Sequence, residues 1–313
     1  MPHAKPFRFG VQAKRAADGR AWRDQARAVE ALGYSTLWVP DHLGDQWGPL
    51  VGLTAAAAAT STLRVGALVF DNDFRHPAVL AKELATLDLV SDGRLEAGIG
   101  AGWLRTDYEA HGLAYDAPGT RIERMAEAVA VMKALWSDDG PTSFAGRHYI
   151  LRDAPGRPAP VQRPHPPVLV GGGGRRVLSV AAREADIVGF NANLAAGVVG
   201  PEVAGTALAS CFDDRVAWVR SEAGDRFDAL ELHCNVFVCM VGADPRASAE
   251  ALAPAFGVSA TDALDVPLVI VGSVDHICDL LQQRRERFGF TYWVVPAASA
   301  EAFAPVVARL SGR

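Results

Sequence analysis

"PPVLVGGGGRRVLSVAAREADIVGF", residues 166–190, is the stretch whose reading decides the fold. Residues 168–170 form a short apolar run between prolines and glycines, which reads as a buried strand. Residues 176–184 carry apolar positions at helical spacing, and Ile187–Phe190 is a second apolar run. A strand, a helix and a strand in so short a span is the signature of alternating α/β architecture.

The alternation extends both ways. Upstream, residues 7–12, Thr36–Val39, 64–70 and 95–99 read as strands, and downstream 232–241 and 292–295 do. Between them Trp22, Ala26, Val29 and Leu32 repeat at helical spacing up to Gly33, a good helix stop. Further helices are expected over 53–61, 77–89, 247–256, 275–288 and Ala300–Leu310, with a mostly helical stretch reaching about Ser221. Thr120 and Glu123 have capping-box spacing at the head of a helix that reaches Trp136. Eight strands alternating with helices in 313 residues predict a (β/α)8 TIM barrel, read as one domain over 1–313. A doubly wound open sheet is the competing architecture. It would carry G-x-G-x-x-G after its first strand, and residues 12–19 hold none. Residues 138–167, rich in Pro and Gly with little periodicity, read as a long loop or small insertion.

Composition narrows the function. The chain is 50% hydrophobic and 21% charged, with a formal net charge of −5. No basic block interleaved with aromatics appears, which speaks against a nucleic-acid partner. No apolar run resembles a signal peptide or is long enough to span a bilayer, so no membrane partner and a cytoplasmic protein are expected. None of the four cysteines forms C-x-x-C, and no metal-ligand spacing occurs, so no metal is expected.

In a barrel the active site lies at the C-terminal ends of the strands. Gly171, Gly172, Gly173 and Gly174 end one strand, and Arg175 and Arg176 open the next helix. Backbone N–H groups at a helix start bind anions, and glycine lets a phosphate approach closely. The alternative is a plain flexible connection. Gly98 to Trp103, "GIGAGW", is a second glycine loop on the neighbouring strand, including Ala101 and Gly102; the pair suits one elongated phosphorylated ligand. Asp41 and His42 end strand two. The acid is suited to orient the imidazole for proton transfer, although neighbours on an extended strand face opposite ways. Trp47 either covers an aromatic cofactor or packs a loop. Asp71, Asn72, Asp73, Arg75 and His76 read as a polar turn. Gln12 and Asn191 also stand at strand ends. His111, His148, His165 and His233 have no supporting constellation and read as structural or exposed.

Together, "ALGYSTLWVPDHL", "RVGALVFDNDFRHPAVLAKELATLD", "GRLEAGIGAGW", "PPVLVGGGGRRVL" and "FGFTYWVV" resemble the bacterial luciferase-like flavin and deazaflavin oxidoreductases, in the family's order and over nearly the whole chain. The resemblance implies a barrel with an insertion, a homodimer, and a cofactor ring at the C-terminal mouth. It implies that His42 stands near the reacting carbon with Asp41 beside it. It further implies that the third strand ends in a bulge at Leu68, Val69 and Phe70, with a non-prolyl cis peptide at Leu68–Val69 supporting the ring. Glycines 171–174 with Arg175 match its phosphate loop, and Ala101 and Gly102 its second contact. Relatives that oxidise a sugar phosphate carry a glutamate where this chain has Trp103. That departure points to a more hydrophobic substrate in a pocket walled by Trp47, Trp103, Gln12 and Asn191.

The expected function is hydride transfer between coenzyme F420 and a small organic substrate, with His42 as proton donor or acceptor. An FMN-dependent two-component monooxygenase, fed by a separate reductase, is the first alternative. A carrier of flavin or deazaflavin without chemistry of its own is the second.

Overall fold

The computed structural model describes residues 5–137, 139–198 and 200–313. Eight parallel strands close on themselves, and the barrel strands are numbered here in chain order. They are β1 Arg8–Gln12, β2 Thr36–Val39, β3 Arg64–Ala67, β4 Leu95–Gly100, β5 Val168–Gly172, β6 Ile187–Phe190, β7 Glu231–Asn235 and β8 Tyr292–Pro296. Each pairs with the next, and β8 returns to β1 with Gly10 opposite Val294, which closes the TIM barrel. Helices between the strands form the outer layer, and the main apolar core lies between them and the barrel wall.

The barrel interior has two storeys. At the strands' N-terminal ends Glu96, 1% exposed, accepts from Arg8 Nη1 at 2.5 Å and Arg64 Nε at 2.7 Å. Arg8 also reaches Glu231 at 2.5 Å. Burial alone would raise the Glu96 pKa, but the two arginines hold it below the usual carboxylate range. Trp38 fills the space above this plug. Its indole N–H donates to Tyr292 Oη at 2.8 Å, and that hydroxyl donates to Glu96 at 3.1 Å. The room for Trp38 comes from absent side chains on the facing strands. A Cβ on Gly66 would lie 2.5 Å from the indole, and one on Gly10 3.0 Å from it. Polar plug and tryptophan thus close the bottom and leave the C-terminal mouth hollow.

Several local expectations are corrected. The run at 232–241 is two strands: β7 leaves the barrel after Asn235, and Val238–Val241 pairs in parallel with Val269–Gly272 in a separate sheet. The apolar run was simply longer than one barrel strand. The helix placed from Thr120 starts at Pro118, whose fixed φ suits the first helical position, and no side chain caps it. Glu123 contacts Arg147 instead, at 3.2 Å. The helix placed at 53–61 likewise starts early, as Pro49–Ala59. Of the two readings of 138–167, the small insertion holds: Thr142–Ala145 and Ile150–Ala154 form an antiparallel hairpin there. The strand read over 64–70 stops at Ala67 and resumes as Phe70–Asp71 beside β4, and between them the Leu68–Val69 peptide is cis, as the resemblance implies.

Candidate active site

A cavity of about 450 Å³ opens at the C-terminal mouth. At one end the glycines 171–174 pass from β5 into the helix Arg175–Glu184. No side chain caps that helix, nor the helix Pro118–Trp136, and both starts border the cavity. Uncapped helix starts present N–H groups and a positive dipole end to an anion. Packing also demands two of these glycines: a Cβ on Gly172 would lie 2.4 Å from Val177 Cγ1, and one on Gly173 would meet Ala192 O at 2.2 Å. Arg215 Nε braces the loop by donating to Gly173 O at 2.8 Å.

Arg121, which sequence reasoning did not single out, lies in the first turn of the helix Pro118–Trp136 and borders the same end. It is 2% exposed, stacks over Tyr115 at 4.2 Å, and has no hydrogen-bond partner for Nε or Nη1. Buried guanidinium groups are nearly always paired. An unmatched one beside two helix starts and a glycine loop fits a phosphate monoester or diester.

Across the cavity Leu68 and Val69 form a bed on the end of β3. Gln12 does not line the cavity: its amide donates to Leu68 O at 3.2 Å from beneath, which corrects the pocket role expected for it. Phe70 points the other way, into the outer core, so it supports the bed without touching a ligand. A Cβ on Gly100 would lie 2.3 Å from Val69 Cγ2, so glycine there lets the bulge sit down.

His42 borders the cavity, but its partner is not Asp41. His42 Nδ1 lies 2.7 Å from Oδ2 of Asp107, a buried acid on the short helix Arg105–His111. That engagement leaves Nε2 as the nitrogen available to a ligand. The imidazole stands edge-on to Trp103, with ring centroids 5.6 Å apart, and both line the cavity. Asp41 is 5% exposed and gripped by Arg75 at 2.5 and 3.1 Å; it also accepts from the Asp71 N–H at 3.0 Å. The strand ends at Val39, and in the irregular segment after it the two side chains take separate partners.

Asp71 borders the cavity too. Its carboxyl accepts from Tyr108 Oη at 2.9 and 3.0 Å, and burial pushes its pKa up to about 7 against those hydrogen bonds. Trp47 is not a cavity wall. Its ring packs on Trp22 with centroids 5.2 Å apart, filling the gap against the helix Gly19–Ala31. Asn191 lines the cavity, with its Oδ1 turned back to the Ala192 N–H at 2.8 Å. Ala101 and Gly102 line it as well. His233, read from sequence as lacking a constellation, borders the cavity on β7. Burial first, then Arg8, lowers its pKa to about 3, and neither ring nitrogen has a partner. Among the described residues no group of three or more His, Cys, Asp or Glu converges to hold a metal, and no helix is long and apolar enough to cross a membrane.

A family model described as luciferase-like monooxygenase matches residues 3–257. An FMNH(2)-dependent dimethylsulfone monooxygenase of Pseudomonas putida is 30% identical over 184 residues, 59% of this chain and 46% of that protein. An F420-dependent glucose-6-phosphate dehydrogenase of Kineococcus radiotolerans is 34% identical over 194 residues, 59% of this chain and 56% of that protein. The chain therefore spans about half the length of these curated relatives. Among solved structures, the coenzyme F420-dependent tetrahydromethanopterin reductase of Methanopyrus kandleri superposes with a TM-score of 0.76 at 18% identity, covering 98% of both chains. That likeness concerns the fold.

Proposed function

The chain belongs to the luciferase-like monooxygenase family, and on that premise we propose that it is an oxidoreductase working with coenzyme F420 on a small, fairly hydrophobic organic substrate. The observation that carries this reading is the buried Arg121 guanidinium, unmatched at Nε and Nη1, beside the glycine loop and two uncapped helix starts. It fits the phosphate that F420 and FMN share. FMN is the second reading, favoured by the FMNH(2)-dependent relative.

In either case glycines 171–174, Arg175 and Arg121 would hold the phosphate, with Ala101 and Gly102 lining the same cavity. Leu68 and Val69 form the ring's bed. When bound, the cofactor supplies hydride, or with reduced flavin the electrons that activate oxygen. The protein supplies position and protons. His42 holds a proton at Nε2 for the substrate, and Asp107 fixes the tautomer and the ring's direction. Trp103 closes an apolar wall against His42 and keeps water from that face. Asp41, locked by Arg75, secures the bulge through the Asp71 N–H rather than acting on the substrate. On the FMN reading a separate reductase delivers reduced flavin. A homodimer is supported by Val51, Val79 and Val90, exposed on two helices in contact, Pro49–Ala59 and Pro77–Val90.

Titration of the purified protein with F420 and, separately, with FMN tests the assignment. Tighter F420 binding is expected. Preference for FMN moves the enzyme to the monooxygenase reading, and binding of neither rejects the cofactor site.

A further inference from the structure

A second cavity of about 300 Å³ lies outside the barrel mouth, bordered by Asp73, Arg124, Asp116 and Tyr149 among others. A buried phenol bridges acids that border the two cavities. Tyr108 is 0% exposed. On one side its hydroxyl lies 2.9 and 3.0 Å from the Asp71 carboxyl oxygens, and Asp71 borders the mouth cavity. On the other side the same hydroxyl lies 3.1 Å from Asp73 Oδ2, and Asp73 borders the outer cavity. Asp73 is held in place by Arg124 at 2.8 Å, and Arg124 in turn by Asp116 at 2.9 Å. Gly102 makes the arrangement possible: with φ at +71°, a Cβ there would fall 1.8 Å from the Tyr108 hydroxyl.

We propose that Asp71, Tyr108 and Asp73 form a proton conduit between the mouth cavity and the outer one. The inference rests on the mouth cavity being the reaction chamber. Every hydride gained or lost at a carbonyl or alkene carbon is matched by one proton, and a chamber filled by cofactor and substrate is cut off from bulk water. The protonated Asp71 carboxyl gives its proton to Tyr108 Oη as the phenol passes its own to Asp73 Oδ2. One O–H bond breaks and one forms at the phenol, which is neutral before and after; its hydroxyl then swings back toward Asp73 once Asp73 has given its proton up to the outer cavity. The net change is one proton moved outward, and the reverse sequence brings one in. Two features suit this use. Burial and the neighbouring acids keep the phenol from ionising, so it can only relay. Burial places Asp71 at about 7, where it carries a proton for part of the time near neutrality. The charged groups facing it are Asp41 and Asp73, with Arg75 behind Asp41.

Tyr108 acts through Asp71, so the test reads Asp71 directly. The protein is saturated with FMN or F420, mixed into D2O at about pH 6, and followed by infrared at the carboxylic acid C=O band that Asp71→Asn removes. The expected result is that Tyr108→Phe, which keeps the ring packed on Tyr115 and Phe74, slows deuterium exchange of that band at least about tenfold, with cofactor affinity unchanged. Asp73→Asn should slow it likewise, and it decides the matter should Tyr108→Phe fold poorly. Equal exchange rates overturn the conduit, as does the absence of any band lost in Asp71→Asn. If neither cofactor binds, the titration shows that the reading of the site has failed. Exchange in the free protein then judges the conduit alone, with the same two outcomes, because Asp71 is only 7% exposed even there.

Discussion

Replacing Arg121 with Met separates two effects that most active-site substitutions confound. In the cofactor-free protein the guanidinium is buried with Nε and Nη1 unmatched. Relief of that desolvation is worth about 1–3 kcal/mol. Lost stacking over Tyr115, at 4.2 Å, costs about 1 kcal/mol in return. Methionine preserves most of the length and fills the apolar space. The free variant is therefore expected to be as stable as the native chain, or up to about 2 kcal/mol more stable. The bound state moves the other way. Charge-assisted hydrogen bonds to a phosphate contribute about 1.5–3 kcal/mol, so affinity should fall about ten- to hundredfold. Urea unfolding without ligand reads the first quantity, and calorimetric titration with FMN and with riboflavin reads the second. Riboflavin lacks the phosphate, so its affinity should hardly change. The reasoning is refuted if FMN and riboflavin weaken alike, or if the free variant is clearly destabilised while FMN affinity stays.

Three further outcomes follow from named contacts. Asp107→Asn keeps the size of the group 2.7 Å from His42 Nδ1 but removes its charge, and turnover should fall about a hundredfold with cofactor affinity intact; unchanged turnover in a steady-state assay would show that Asp107 does not govern His42. Gly66→Ala puts a methyl group 2.5 Å from both the Trp38 ring and the Glu96 backbone oxygen, and this overpacking should cost about 1–3 kcal/mol in urea unfolding; an unchanged midpoint would refute the tight packing at this position. Asp71 titrates at about 7 in the fold against 3.8 ordinarily, so its protonated form is the favoured one in the native state. The stability it contributes is full below about pH 4 and is lost as pH rises through about 7, a swing on the order of 4 kcal/mol. Asp71→Asn should accordingly gain on the native chain across that window in denaturant melts at stepped pH, and a constant difference between the two would contradict the shift.

The barrel was legible because its signals are local. Runs such as TLWV and IVGF, set between helical spacings, read as strands on their own, and the order of strands then follows from parallel connection. The glycines of β5 and the residues Asp41 and His42 were legible for the same reason: strand ends in a barrel share one rim. What depends on side-chain direction or distant pairing was not. Asp41 and His42 are neighbours in sequence yet find Arg75 and Asp107 as partners, 34 and 65 residues away. Trp47 sits five residues after His42, but the chain turns it onto Trp22. Arg121 looked like any helix-surface arginine, and only the closure of two helix starts around it shows that it is buried. The strand Val269–Gly272 escaped notice because it pairs outside the barrel, where the alternation gives no reason to expect one.

The short helix Arg105–His111 joins these threads. It carries Asp107, which aims His42, and next to it Tyr108, which bridges the two acids. Neighbours on a helix diverge by about 100°, so one element can serve the imidazole on one side and the Asp71–Asp73 pair on the other. Its position is set by Gly102, whose positive φ turns the chain away from the end of β4. That glycine belongs to the loop that also borders the mouth cavity. The "GAGW" motif thus does more than admit a ligand's backbone. It fixes the turn from which the imidazole's partner and the phenol both depend, and Trp103, the next residue, closes the wall against the same imidazole. On the proposed reading, the loop that would receive the cofactor and the group that would handle the proton are therefore built as one unit.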